Sequence, residues 1–341
     1  MKFLLIFLWI TTTLFAFDYQ SGRGMNLFEN ETLSLNLGGH IDTYYKNSSE
    51  TNRSIGLDQA GVFLFGTITP SISFLIEAGS DDIIDYDLKS KTSTQTDLRI
   101  MRAYAAYRFD DALSLKAGVF LTPIGIWNRT YIPALRWSNF TPYVAKGFFP
   151  KIIAGGDISG SVLNDRSLSY SLFYHQGGEY DTNKNNVIAN EFVGGEVRYH
   201  FNTRSKIALP FGRYRSNTSE EICLFTGVNA LWFFDKNELS SEFIFKDGEW
   251  IWENGNTSTW MDYAWYVQYV QHLYETHFLA LRAGQSARIN SMHNRDELNV
   301  VLGYIYKPKR SLSLKAEYRH SKRSMGDASG DEGLVSFSVL F

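Results

Sequence analysis

Between Ala112 and Gly156 the chain carries no Asp or Glu, yet it carries Lys116, Arg129, Arg136, Lys146 and Lys151. At the average density of 36 acids in 341 residues, a stretch of 45 would hold nearly five. Fixed positive charge held at a narrow, low-dielectric point concentrates anions and slows cations. With Arg102 just upstream, the set expected to line such a point is Arg102, Lys116, Arg129, Arg136 and Lys146. The competing expectation is that the wall cations, Arg102 and Lys116 among them, pair structurally with acids across the wall.

Other reactive residue types form no comparable pattern. The seven histidines (40, 175, 200, 272, 277, 293 and 320) include no HExxH, and no G-x-S-x-G is present. A hydrolase could be imagined only from His320 beside Ser321, or His175 near Ser171. Asp327, Asp331 and Glu332 could contact calcium, but the EF-hand spacing is missing and a solvated loop is the simpler reading. Cys223 is the single cysteine, so no intramolecular disulfide can form. A formal charge of −3 gives no reason to expect nucleic acid. The expectation is of no enzyme, no catalytic residue, no metal and no cofactor.

The elements that would position the cations follow from a period of two. Leu312, Leu314, Ala316 and Tyr318 alternate with Ser313, Lys315, Glu317 and Arg319. Met101, Ala103, Ala105, Tyr107 and Phe109 likewise alternate with Arg102, Tyr104 and Arg108. Segments of about ten residues, alternating apolar with polar, are what a barrel wall in lipid produces. An aromatic content of 16% with low mean hydropathy agrees, since only alternate residues meet lipid.

Sixteen strands are expected, near 33–45, 59–69, 71–79, 97–109, 112–122, 152–163, 167–176 and 191–201, then 206–214, 221–233, 238–246, 259–270, 274–285, 296–307, 311–321 and 333–341. Pro210 makes 206–214 the weakest of them. Short turns at Pro70, Asp110-Asp111, 164–166, 202–205, 235–237 and 308–310 alternate with long polar loops. That is the loop asymmetry of a transmembrane barrel. On this alternation Arg102, Lys116, Arg198, Lys315 and Arg319 share the inner face with Glu77, Glu196, Glu242, Asp262 and Glu317.

The N-terminus adds Lys2 and an apolar stretch from Phe3 to Phe15, read as a signal peptide over 1–16. Residues 17–341 are then one all-β domain, a transmembrane antiparallel barrel of about sixteen strands. The third long connection, 123–151, holds Pro123, Pro133, Pro142, Pro150 and two tryptophans. Such a loop is stiff and needs an apolar surface, so it is expected to fold inward rather than to wave in solvent. The alternative is that it caps the barrel or packs on a neighbouring subunit.

Two stretches and the chain end carry a resemblance. Tyr107-Arg108-Phe109, a turn, Leu113-Ser114-Leu115-Lys116-Ala117-Gly118 and Thr122-Pro123-Ile124-Gly125-Ile126-Trp127-Asn128 resemble a segment of bacterial outer-membrane porins similar to the phosphate-selective O/P family. The final strand ending at Phe341 resembles the last strand of such barrels. The resemblance is specific over roughly 97–160. It implies a homotrimeric porin of the bacterial outer membrane, set in a lipid bilayer, whose third loop narrows a channel for small hydrophilic or anionic solutes. The family's dense arginine ladder is not found, which leaves phosphate open. A barrel plugged by its third loop, acting as receptor or structural protein, is the alternative, and an outer-membrane hydrolase a remote one.

Overall fold

The computed structural model describes residues 24–49, 53–96, 98–163, 165–177, 187–216, 221–251, 257–289, 295–324 and 329–341. The proposed signal peptide and Asp327 lie outside these residues.

Sixteen long strands form one closed antiparallel ring. They are β1 (Ser34–Ser48), β2 (Ser54–Thr69), β3 (Ile72–Asp87), β4 (Arg99–Arg108), β5 (Ser114–Leu121), β6 (Ile152–Ser161), β7 (Leu168–Gln176) and β8 (Ala189–His200). The ring continues with β9 (Lys206–Ser216), β10 (Ile222–Phe234), β11 (Asn237–Ile251), β12 (Thr257–Tyr274), β13 (His277–Ile289), β14 (Arg295–Lys309), β15 (Leu312–Arg323) and β16 (Gly330–Leu340). Each strand pairs with its chain neighbour, and β16 closes on β1 through Leu340 opposite His40. Phe341 adds two backbone bonds to Gly39, at 2.7 and 2.8 Å. The glycine matters here, because a Cβ at position 39 would lie 2.6 Å from the Phe341 ring.

All sixteen expected strands are found, and four local differences have physical causes. Two short extra strands, Met25–Glu29 and Ser93–Gln95, pair with the free ends of β1 and β3, where no neighbouring long strand reaches. Several strands run past their expected ends on the long-loop side; β3 continues to Asp87 through Asp81, Asp82 and Asp85. There acids and apolar residues stand on both faces (Asp81, Asp82, Ile83, Ile84), so the alternation disappears while the ladder continues. The turn at 308–310 moves to Arg310-Ser311, again by strand extension, and the connection between β12 and β13 is the turn Glu275-Thr276.

Met101 is the fourth difference. The register slips beside it, Glu77 facing Arg102 while Ala78 faces Ile100. That bulge turns Met101 inward, where it is 1% exposed and its sulfur lies 3.5 Å from the Tyr131 hydroxyl. The outward place given to Met101 by the alternation is therefore wrong. Pro210 does not end β9; it stands opposite Glu196 on β8 and leaves a gap in the ladder to β10 between Ala208 and Phe211.

Outward positions are apolar and exposed, among them Leu172, Val193, Leu224, Leu281 and Leu302. At the short-turn end they give way to an aromatic girdle, in which Phe201 packs on Tyr199 at 5.1 Å and on Trp232 at 4.9 Å between ring centroids. A closed ring with no free edge and an apolar outer band is built to stand in a bilayer.

Candidate functional site: the lumen and its third loop

Residues 122–151 leave β5, cross the interior of the barrel and return to β6. The motif at 122–128 explains how the loop is tied. Asn128 donates from its amide to the carbonyls of Thr122, at 2.7 Å, and Lys151, at 3.2 Å, drawing the two loop ends together. Thr122 donates its hydroxyl to the Pro150 carbonyl. Gly125 has φ 78°, in the left-handed region, and a Cβ there would lie 2.8 Å from Glu242 Oε2. That turn aims backbone N–H groups at the wall: Gly125 donates to Glu196 at 3.0 Å and Trp127 to Glu242 at 2.7 Å. Two buried carboxylates, on β8 and β11, thus hold the loop's first turn.

Beyond this anchor the loop meets the wall in two ways. On one side Ile124, Val144, Phe148 and Phe149 join inward residues such as Phe192 and Phe225 in a dry cluster. Phe149 stacks on Phe225 with centroids 5.8 Å apart. On the other side a small apolar cluster, Ile132, Ala134 and Leu135 with Phe63 and Leu340, stands beside a polar network. Lys315 donates to the Pro133 carbonyl at 2.7 Å and to the Asn139 side chain. Asn139 donates in turn from its backbone to Glu317 and from its amide to Asp42, both at 2.9 Å. The loop is therefore fastened to opposite walls.

The ten inner-face charges expected from the alternation all point inward, most of them beside an opposite charge, while Glu242 accepts from the Trp127 N–H and the Tyr266 hydroxyl. Arg102 bonds Glu77, Arg198 bonds Glu196, and Arg319 bonds Glu332. Lys116 lies 3.9 Å from Asp157 and Lys246 lies 3.6 Å from Asp262. Arg129 lies 3.5 Å from Glu196 with 28% of its side chain exposed. Arg136 donates to the Thr130 carbonyl and sits 4.7 Å over the Trp127 ring. Lys146 is half-buried beside Tyr143, and burial, reinforced by Arg319, lowers its amine to about 8. Arg129, Arg136 and Lys146 thus lie on the crossing loop, while Arg102 and Lys116 lie on β4 and β5. Arg102 and Arg136 share the Tyr131 ring, 5.7 and 5.8 Å from its centroid, and Lys116 interacts with Arg129, so the set meets in pairs across the seam between loop and wall.

Sequence reasoning missed the acidic anchor, because nothing in the spacing of Glu196 and Glu242 tells that both face a glycine turn. It also missed the row Asp42–Gln59–Asp81, set directly opposite one another on β1, β2 and β3. The imagined hydrolase pairs do not form. His320 and Ser321 are consecutive in β15 and face opposite sides, and His320 pairs with Asp331 at 2.8 Å. Both ring nitrogens of His175 meet backbone carbonyls, those of Ala154 and Ala189. Among the described residues no group of His, Cys, Asp and Glu could hold a metal ion.

No protein-family model matches this chain, and no curated protein matches it in sequence. Solved structures do match in fold. The trimer form of OmpT, an outer membrane protein of Vibrio cholerae, superposes with a TM-score of 0.68 at 13% identity, covering 91% of this chain and 100% of that one. Salmonella typhi OmpF, in complex with daunomycin, gives 0.67 at 13% identity over 93% and 100%. An anion-selective porin from Comamonas acidovorans gives 0.66 at 11% identity over 91% and 100%. The likeness is to outer-membrane porin barrels as a class, with nothing that singles out the phosphate-selective family.

Proposed function

We propose that this chain is a passive diffusion channel of a bacterial outer membrane, passing small hydrophilic solutes with a mild preference for anions. The observation that carries the reading is a closed barrel with an apolar exterior, an interior that carries many charges beside one large apolar cluster, and a long loop fastened across that interior. The fold of the porins it resembles supports it. No chemical step is assigned to the chain.

The preference is mild because most lumen cations have an acid beside them. Lys116, Arg102 and Arg198 are each paired, and Arg129 shares Glu196 with Arg198. What remains is the acid-free loop itself, with Arg129, Arg136 and Lys146 as its charged face. The residues that resemble the phosphate-selective family tie the loop in place, so they argue for a gate-like constriction rather than for phosphate. A homotrimer is proposed as the assembly, by analogy with the trimer form of the Vibrio protein.

A plugged barrel is the second reading, favoured by the deep burial of lumen cations: Arg282 is 2% exposed and Lys315 1%. Planar-bilayer recording of the purified protein decides between them. Stable single-channel steps, with a zero-current potential in a salt gradient on the anion side, are expected. Absence of steps in a correctly folded protein would mean a plug, and a cation-side potential would overturn the charge argument alone.

A further inference from the structure

The seam between the third loop and the wall encloses a cavity of about 60 Å³. At 10–15 Å³ per water position this holds roughly five such positions. That is about as many as the non-hydrogen atoms of the smallest amino acid. Its lining is divided by charge. The loop side brings Arg136 and Lys151, and the wall brings Asp81 from β3 and Gln59 from β2. Trp127 and Tyr131 supply aromatic walls, with Asn128 and Thr141 completing the polar surface.

Gln59 is the informative residue. It is 7% exposed, and its Oε1 has no hydrogen-bond partner among the described residues. A buried acceptor left without a donor costs about 1–3 kcal/mol, so the position calls for an N–H or O–H from something else. Asp81 already accepts from Tyr131 at 2.6 Å, which fixes its carboxylate at the cavity edge. An anion alone would meet Asp81 and the Gln59 oxygen; a cation alone would meet Arg136 and Lys151.

We propose that this cavity is a solute subsite in the lumen for a small zwitterion of the amino-acid type. Its ammonium lies toward Gln59 and Asp81, and its carboxylate toward Arg136 and Lys151. The inference deepens the channel reading, since it requires that solutes reach the lumen. The division of charge comes from the fold: the loop's acid-free stretch supplies the cations and the row Asp42–Gln59–Asp81 supplies the acceptors. Arg99 of β4, 3.9 Å from the Asp81 oxygen that does not accept from Tyr131, is a structural pair.

Saturation-transfer difference NMR of glycine with the full-length protein in detergent micelles tests it. Glycine should give a saturable signal. Acetate and methylammonium, each keeping one pole, should give signals about fivefold weaker or less, the effect of one lost charge-assisted bond. Gln59→Leu should lower the glycine signal by about fivefold. Equal signals from acetate, equal signals from methylammonium, or none from glycine would each overturn the proposal, leaving an anion site, a cation site or a water pocket. The ligand comparison uses wild-type protein, so it stands even if Gln59→Leu does not fold. A conducting barrel without a glycine signal would refute the subsite alone. A glycine signal in a barrel that never conducts would refute the channel alone.

Discussion

The third loop is held on one side of the lumen mainly by a large apolar cluster and on the other mainly by a buried charge network beside a smaller apolar one, and the two grips do different work. The apolar side, around Phe148, Phe149 and Phe225, is non-directional and tolerates small shifts of the loop. The charged side is directional. Lys315, Asn139, Asp42 and Glu317 form one chain of donors and acceptors, and losing any member strands the rest in a buried place. Adhesion is thus supplied largely by one wall and position by the other.

The largest effect is expected from removing the crossing itself. Deleting 128–145 takes out Pro133 and Asn139 of the charged grip, and of the buried apolar grip only Val144, and single-channel conductance should rise severalfold. Unchanged conductance would mean that the loop only caps the barrel and the comparison has no bearing on permeation.

Breaking the grips one at a time should separate them. Lys315→Met leaves the Asp42 and Glu317 carboxylates without their buried cation, at a cost of about 3 kcal/mol. The loop should then move, and the open-channel current should become noisy with a changed mean. Phe149→Ala should cost a similar amount, about 3 kcal/mol. Its loss should appear instead as a lower midpoint in heat-modifiability gels, with the conductance level kept. Identical phenotypes would erase the distinction between adhesion and position.

Gly125→Ala sharpens the picture at the anchor between them. The new Cβ must accept φ 78° and a Glu242 oxygen at 2.8 Å, a strain of about 1–2 kcal/mol. Frequent partial openings are expected. A silent variant would show that the two carboxylates do not hold the turn.

The smallest effect is expected from pH. Lys146 is charged below about 8 and loses its proton as pH rises through that value. Any anion preference it supports is therefore full near pH 6 and falls between about pH 7 and 9. Zero-current potentials recorded across that range should shift toward zero in wild type and shift less in Lys146→Met. A shift of the same size in the variant would assign the titration to other groups.

How much was legible beforehand varied with the physics. The facing of Lys315, Glu317, Arg198 and Glu242 could be read directly, because a strand's side chains alternate with a period of two wherever one face meets lipid. Met101 could not, because a bulge shifts the parity without any mark in the pattern. The ends of β3 and β11 were hidden for a related reason: beyond the lipid both faces are wet, and alternation carries no information there.

The sequence by itself determined the barrel, its strand number, the loop asymmetry and the presence of a stiff, acid-free third connection. These depend on local periodicity and composition, which each segment carries alone. Only the tertiary structure decided what the loop's cations face. Arg129 meets Glu196 from a strand about seventy residues away, and Arg136 and Lys151 border a cavity closed by Gln59 and Asp81. Such partners are set by ring closure and by where the loop crosses, and neither is written in the spacing of the charges themselves.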